Sequence, residues 1–323
     1  MANMSTPLAM TIVVVTIALS GGHAGAQNVA RIELQPIQTI TLKTQQILTG
    51  DTKGAPATLA GELRIPKPGT DRLPAVILIH GAGGVDSNVE AWAKEINSLG
   101  IIAFILDSFS GRGIVDGSQL DSLAMMIDAY RALSLLAEHA RIDPERIAVM
   151  GFSKGAVPAV YSSNERFRKL YDPVKVGFAA HIGLYAPCNV QYHDDDRVTG
   201  APIRLFHGIA DDYLPIGPCR GYVERLKRAG ANVALTEYPE AFHAYDAAAF
   251  SPPIQLPRAQ TTRNCTLREG DNGQVLNART GAVYTPADPC VERGPHLGFN
   301  QAAYEATVKA VREFLTATFK LNS

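Results

Sequence analysis

The sequence predicts an α/β architecture, a mostly parallel central sheet with helices on both faces, and three observations carry that prediction. Apolar runs of strand length recur along the chain, and segments with apolar residues three and four apart separate most of them. A Gly-x-Ser-x-Gly pentapeptide stands at one strand-to-helix junction.

Residues 39–48 and 58–65 read as antiparallel edge strands ahead of the first helix. Buried strands are expected over 75–79, 101–106, 147–150, 176–184, 203–206 and 233–238, where the runs are too apolar for a sheet with one wet face. Helices are expected over 87–99, 118–140 and 218–229. Asp or Ser lies near their starts, and Gly100 and Gly230 follow two of their ends. Residues 156–161 begin a helix despite Pro158, and 301–319 form the closing helix. Between 247 and 299 the pattern lapses into Pro, Asn, Gly and Thr, which predicts a long irregular insert placed as a flap at the rim of a site.

With 323 residues, 46% of them hydrophobic, and a formal net charge of -1, the chain has material for a large core. It lacks the basic excess that nucleic acid or an anionic membrane surface would call for. The apolar stretch from Leu8 to Ser20, followed by Ala24-Gly25-Ala26, reads as a secretory signal peptide over residues 1–26. It is shorter than the roughly 20 residues a bilayer crossing requires. An uncleaved apolar tether is the alternative reading. Residues 27–323 are then one exported domain, secreted or periplasmic, with no membrane association after cleavage. Four cysteines fit an oxidising compartment, and of the three possible pairings Cys188 with Cys219 and Cys265 with Cys290 is preferred. The second pair would close the irregular insert, a crosslink contributing about 3 kcal/mol in the chain-entropy model.

Gly151-Phe152-Ser153-Lys154-Gly155 follows the apolar run 146–150, the setting in which a serine hydroxyl is lifted above a sheet edge. Such a hydroxyl needs a base, usually histidine, held in turn by a carboxylate. In this arrangement the chain order is serine, acid, histidine, which removes His23, His80, His139 and His181 from the eight histidines. The segment His207-Gly208-Ile209-Ala210-Asp211-Asp212 follows one strand, and Pro239-Glu240-Ala241-Phe242-His243 follows the next. Asp211 is preferred to Asp212 because the tight turn after Gly208 aims the earlier carboxylate inward. His243 is preferred to His296, which follows no strand. Backbone amides of Ala82, in His80-Gly81-Ala82-Gly83-Gly84, and of Lys154 are the candidate donors to an oxyanion. The same glycine-rich loop lacks a full Gly-x-Gly-x-x-Gly and a following Walker lysine, so a nucleotide site is a poor reading.

These segments, together with Asp107-Ser108-Phe109-Ser110-Gly111-Arg112-Gly113 and Phe242-His243-Ala244-Tyr245, resemble the dienelactone hydrolase family of α/β-hydrolases. The likeness spans about residues 60–246 and the final helix. It implies the α/β-hydrolase fold, with Ser153, Asp211 and His243 in the places of the family's nucleophile, acid and base. Dienelactone hydrolases proper carry cysteine where this chain has Ser153, and they are cytoplasmic. The resemblance is therefore to esterase-like relatives and implies carboxylic esters or lactones as small-molecule substrates; a serine mechanism needs no cofactor, and no metal is expected.

Three other features have plainer readings. His193-Asp194-Asp195-Asp196 reads as solvated surface rather than a metal site. Arg112 either steers an anionic substrate or pairs with Asp107 or Asp116. Asn264-Cys265-Thr266 matches a glycosylation acceptor but contains a cysteine expected to be bonded. The whole reads as an exported serine hydrolase acting on carboxylic esters. A peptidase of related fold and a non-catalytic binding protein that kept the fold are the alternatives.

Overall fold

The computed structural model describes residues 29–321 except Lys175, so the expected signal peptide lies outside the described residues. Its framework is an eight-stranded sheet of β1 (Arg31–Thr41), β2 (Ala55–Ile65), β3 (Leu73–Ile79), β4 (Ile102–Asp107), β5 (Ile142–Phe152), β6 (Ala180–Leu184), β7 (Ile203–Gly208) and β8 (Val233–Tyr238). Their order across the sheet is β1-β2-β4-β3-β5-β6-β7-β8. Strands β3 to β8 are mutually parallel, and β1 and β2 add an antiparallel edge.

Side chains alternate across a strand, so β3 feeds two cores at once. Ala75, Ile77 and Ile79 face one cluster, which includes Tyr130 and Leu133, while Val76 and Leu78 face the other, with Trp92 and Val311. All seven residues of β3 are buried, as a strand covered on both faces requires.

Seven helices are described: α1 (Thr44–Thr49), α2 (Ser87–Ser98), α3 (Ala124–Glu138), α4 (Ala156–Tyr161), α5 (Glu165–Tyr171), α6 (Gly217–Arg228) and α7 (Gln301–Phe319). Helix α2 starts where the Asp86 carboxylate accepts the Asn88 and Val89 amides at 3.0 and 3.1 Å, satisfying donors the helix itself leaves open. It then buries Val89, Trp92, Ala93 and Ile96 on one face. Helix α7 buries Ala303, Thr307, Val311, Leu315 and Phe319, a strict four-residue repeat.

Several sequence-predicted boundaries shift. The first strand begins upstream of residue 39 and ends at Thr41, and 44–49 turn into α1, which buries Ile47 and Leu48 and closes on Gly50 at φ 76°. The predicted strand 176–184 is reduced to Ala180–Leu184, and helix α3 starts only at Ala124, after a 3₁₀ turn at Gly117–Gln119. The stretch expected to be irregular carries short ladders: Ile254–Gln255 with His296–Leu297, Gln260–Thr261 with Glu292–Arg293, and Leu267–Glu269 with Val275–Asn277. Runs of two or three residues leave no periodicity for sequence reading to detect. Cys188 is bonded to Cys219 and Cys265 to Cys290, the preferred pairing.

Strand β5 meets α4 at a backbone crossing that only glycine permits. A Cβ on Gly155 would stand 2.2 Å from the Ile79 carbonyl oxygen and 2.4 Å from that of His80. Gly155→Ala is expected to destabilise the fold by about 1–3 kcal/mol, the range for overpacking a close contact. Urea or thermal denaturation measures this, and an unchanged midpoint contradicts the contact.

Candidate active site

Ser153 occupies the turn between β5 and α4 with φ 50°, a left-handed conformation that costs a non-glycine residue about 1–2 kcal/mol. The crossing at Gly155 enforces this conformation, and the result is a partly exposed hydroxyl at the C-terminal end of the sheet. The loop after β3 runs alongside: the Cβ position of Gly81 lies 3.7 Å from the Ser153 Cβ.

His243 follows β8 and Asp211 follows β7, and these two loops are also forced together by a glycine. A Cβ on Gly208 would lie 2.0 Å from the Ala241 carbonyl oxygen, so the acid loop passes directly under the histidine loop. The outcome is a chain of three side chains. The His243 Nε2 is 2.8 Å from the Ser153 Oγ, and the His243 Nδ1 is 2.8 Å from the Asp211 Oδ2.

Asp211 is buried, yet three donors address its carboxylate. The amides of Tyr213 and Leu214 donate to Oδ1 at 2.9 and 2.8 Å, and Oδ2 faces His243; the His207 Nε2, hydrogen-bonded to the Leu214 carbonyl at 2.6 Å, stands 3.3 Å from Oδ2. Burial pushes the carboxyl up, but the electrostatic pull of the His243 and His207 imidazoles beside it, with the hydrogen bond from His243, outweighs that and holds Asp211 well below the usual carboxylate range. An ionised Asp211 accepts from Nδ1–H and leaves the Nε2 lone pair facing the serine hydroxyl. That is the arrangement in which an imidazole removes a hydroxyl proton. The rings of Tyr185 and Tyr213, with centroids 4.8 and 4.9 Å from that of His243, restrict the imidazole further.

The loop carrying Ala82 is fixed by its own first residue. The His80 Nδ1–H donates to the Gly81 carbonyl at 2.7 Å, and Nε2 accepts the Ser108 amide at 3.2 Å, tying the loops after β3 and β4 together. Burial lowers the pKa of His80, consistent with a neutral ring that both donates and accepts. Two clefts adjoin this region, lined along one segment of chain by residues 118 and 120–123 in the first and by 114–117 in the second. One, of about 660 Å³, includes Lys154, Ser122, Asn189, Tyr192 and Thr262; the other, of about 640 Å³, includes Ala82, Phe109 and Asp116. In the first, the Lys154 ammonium donates to the Ser122 Oγ at 3.3 Å, and burial pushes its pKa down to about 8 against the opposing pull of Asp121.

The competing residues are sorted the same way. Asp212 turns from the serine relay and pairs with His296, Oδ2 to Nδ1 at 2.8 Å, so the two aspartates and two histidines weighed in the sequence form two separate pairs. Arg112 makes a two-pronged bond to Asp128 at 2.7 and 2.8 Å rather than to Asp107 or Asp116. The polar run at 193–196 has protein partners: Asp195 binds Arg225 at 2.6 Å, and the His193 Nδ1 stands 3.6 Å from Glu269. Sequence reading missed His207, Tyr185 and Asp246. The fully buried Asp246 carboxylate, which burial pushes up, accepts from the Trp92 Nε1, the Tyr185 hydroxyl and the Asn88 amide at 2.7, 2.9 and 3.2 Å. Only the short spacing from His243 hinted at it.

The family model described as "Dienelactone hydrolase family" matches residues 59–255. The chain belongs to the dienelactone hydrolase family. That makes it a hydrolase of α/β-hydrolase fold. A curated relative is a probable 2-oxo-3-(5-oxofuran-2-ylidene)propanoate lactonase of Bradyrhizobium sp., 24% identical over 196 residues, which cover 54% of this chain and 75% of that protein. Two solved structures share the fold. A dienelactone hydrolase-like promiscuous phosphotriesterase from metagenomic libraries is 14% identical with a TM-score of 0.55, covering 89% of this chain and 99% of its own. Thermogutta terrifontis esterase 2, in a form phosphoramylated by tabun, is 18% identical with a TM-score of 0.53, covering 81% and 91%. The family match ends at 255, so most of the disulfide-bearing insert lies beyond it.

With its folded-state pKa below the unfolded value, Asp211 contributes stability that is complete above the unfolded-chain pKa of about 4 and is lost as pH falls further. Asp211→Asn is therefore expected to flatten the fall in melting temperature between about pH 5 and pH 2. Acid profiles of variant and wild type that superimpose would contradict an ionised Asp211.

Proposed function

We propose that the protein is an exported serine hydrolase that cleaves carboxylic esters or lactones through an acyl-enzyme intermediate. The observation that carries this reading is the unbroken relay from the Ser153 Oγ through His243 to Asp211, each link 2.8 Å long.

In the proposed mechanism the His243 Nε2 takes the Ser153 proton as Oγ attacks the ester carbonyl carbon. Asp211 keeps the ring oriented and stabilises the imidazolium that forms. The carbonyl electron pair moves onto oxygen, where the amides of Ala82 and Lys154 bind it. Collapse of this intermediate breaks the bond to the alcohol oxygen, which takes the proton from His243. Water then gives its proton to His243 and attacks the acyl carbon, and the proton returns to Ser153 as the acid departs. Each step uses only side chains, backbone amides and water. Small-molecule esters are the partners this chemistry calls for.

Two clefts, one walled by Lys154 and the other by Ala82, support a substrate with an arm on each side of the scissile carbonyl. Two disulfides support export, together with the apolar N-terminal run that ends in small residues. Among the described residues no helix is long and apolar enough to cross a membrane.

A fluorophosphonate probe is expected to give a single adduct at Ser153, located by mass spectrometry and absent in Ser153→Ala. Steady-state assays with p-nitrophenyl acetate and butyrate should show kcat falling by about 10⁶ in Ser153→Ala and by about 10⁴ in Asp211→Asn. Wild-type protein that turns over neither ester and takes no label would leave a binding protein as the better reading. Cleavage of peptides in preference to esters would favour a peptidase.

A further inference from the structure

The insert reaches back to both loops of the relay, with a set of contacts that catalysis as proposed does not use. Asp212, the neighbour of Asp211, is the hub. Its Oδ1 accepts the His296 backbone amide at 2.8 Å, and its Oδ2 faces the His296 Nδ1 at 2.8 Å and accepts from an Arg263 guanidinium nitrogen at 3.2 Å. The same nitrogen donates to the Asp212 carbonyl at 3.1 Å. One residue on, the Tyr213 carbonyl accepts the buried Thr261 hydroxyl at 2.6 Å.

The base loop is held from the same side. Leu297 forms a parallel β-bridge with His243, and the Gly298 amide donates to the His243 carbonyl at 3.1 Å. The insert is itself braced there: the Arg263 Nε donates to Glu292 at 2.6 Å, and the buried Cys265 to Cys290 bond joins the two segments that carry these residues. His296 thus belongs to the same strand as the residue paired with His243, so displacing one end of the ladder displaces the other.

We propose that His296 and Arg263, acting through Asp212, are positioning residues for the Asp211–His243 pair, and that the disulfide-bearing insert is a clamp on the two relay loops rather than only a wall of the cleft. This rests on the reading of Ser153, His243 and Asp211 as the catalytic set. A carboxylate that stayed free at position 212 would compete with Asp211 for the His243 Nδ1–H or draw the loop toward solvent. Engaging both its oxygens with the insert removes that competition. A misplacement of about 1 Å at such a relay can cost on the order of 100-fold in rate, so small shifts in these loops matter.

The test compares His296→Ala, Asp212→Ala, the double variant and Asn277→Ala. Asn277 holds the Asp288 carboxylate at 3.0 and 3.2 Å within the distal part of the insert, away from both loops, and serves as the control for loosening the insert alone. Expected is a loss of at least about tenfold in fluorophosphonate labelling rate and in kcat for His296→Ala, with KM within about twofold, while Asn277→Ala keeps wild-type kcat. If His296 acts through Asp212, the double variant is no worse than Asp212→Ala, because the two residues share one interaction. The low-field proton resonance of the His243 Nδ1–H, identified by its loss in Asp211→Asn, should broaden in His296→Ala and persist in Asn277→Ala. Additive losses in the double variant, or a resonance and labelling rate unmoved in His296→Ala, overturn the clamp. A wild type that shows the resonance but takes no label instead overturns the reading of Ser153 as nucleophile, and the resonance still tests the clamp.

Discussion

A single backbone crossing, where Gly155 passes against the carbonyl oxygens of Ile79 and His80, sets the serine turn against the loop after β3 at the C-terminal end of the sheet. No side chain fits between the two segments, so the turn after β5 and the loop after β3 are held in contact. Ser153 is driven into a left-handed conformation that alanine or serine would not choose unaided. The strain is offset by the two cores, which clamp β3 and β5 from opposite faces through alternate residues. The hydroxyl and the Ala82 loop are thereby side by side before any ligand arrives.

Around this crossing the protein spends its buried polar groups on orientation. Three buried carboxylates show how. Asp128 holds Arg112 and, through Oδ1, the Thr39 hydroxyl at 2.8 Å, which fixes the loop after β4 against the edge strand β1. Among the described residues no cation pairs with Asp246, which is satisfied by three neutral donors, so burial pushes its carboxyl up. Asp211 sits among amides and imidazoles, and the balance falls the other way. The three carboxyls share one residue type and nearly the same depth. Their neighbours alone divide them into an anchor for a loop, a support behind the histidine and an ionised partner for it.

The family match, residues 59–255, takes in β3 to β8, most of β2 and helices α2 to α6, and most of the insert lies beyond it. Built from ladders of two and three residues, it has too little core of its own to hold a shape. Its stability comes from Cys265 to Cys290, from the Arg166 ion pair with buried Glu269 at 2.7 Å, and from the ladder of Leu267–Glu269 along Val190–Gln191. Residues such as Thr262, Tyr284 and Val275 then line the cleft that Lys154 and Tyr192 also line. Crosslinked and tethered in this way, the segment gives the cleft a wall of fixed outline.

The parallel strands, the main helices and the tight turn that carries Ser153 were legible because each rests on a local rule: period two, period three to four, or a glycine-flanked turn. Where the rule is weak the reading drifted, as at α1, whose Ile47 and Leu48 suit a strand or a helical turn equally, and in the insert, whose ladders are shorter than any detectable period. By itself, then, the sequence determined the fold class, the order of the elements and a short set of candidates for each role. Only the tertiary structure decided that Asp211 faces His243 across 32 positions, that His243 meets Ser153 across 90, and that Asp212 and His296 pair elsewhere. The physical reason is that hydrogen-bond partners are chosen by distances near 3 Å. Such distances between remote loops are set by close backbone packing, such as that of Gly208 on Ala241, which leaves no trace in local composition.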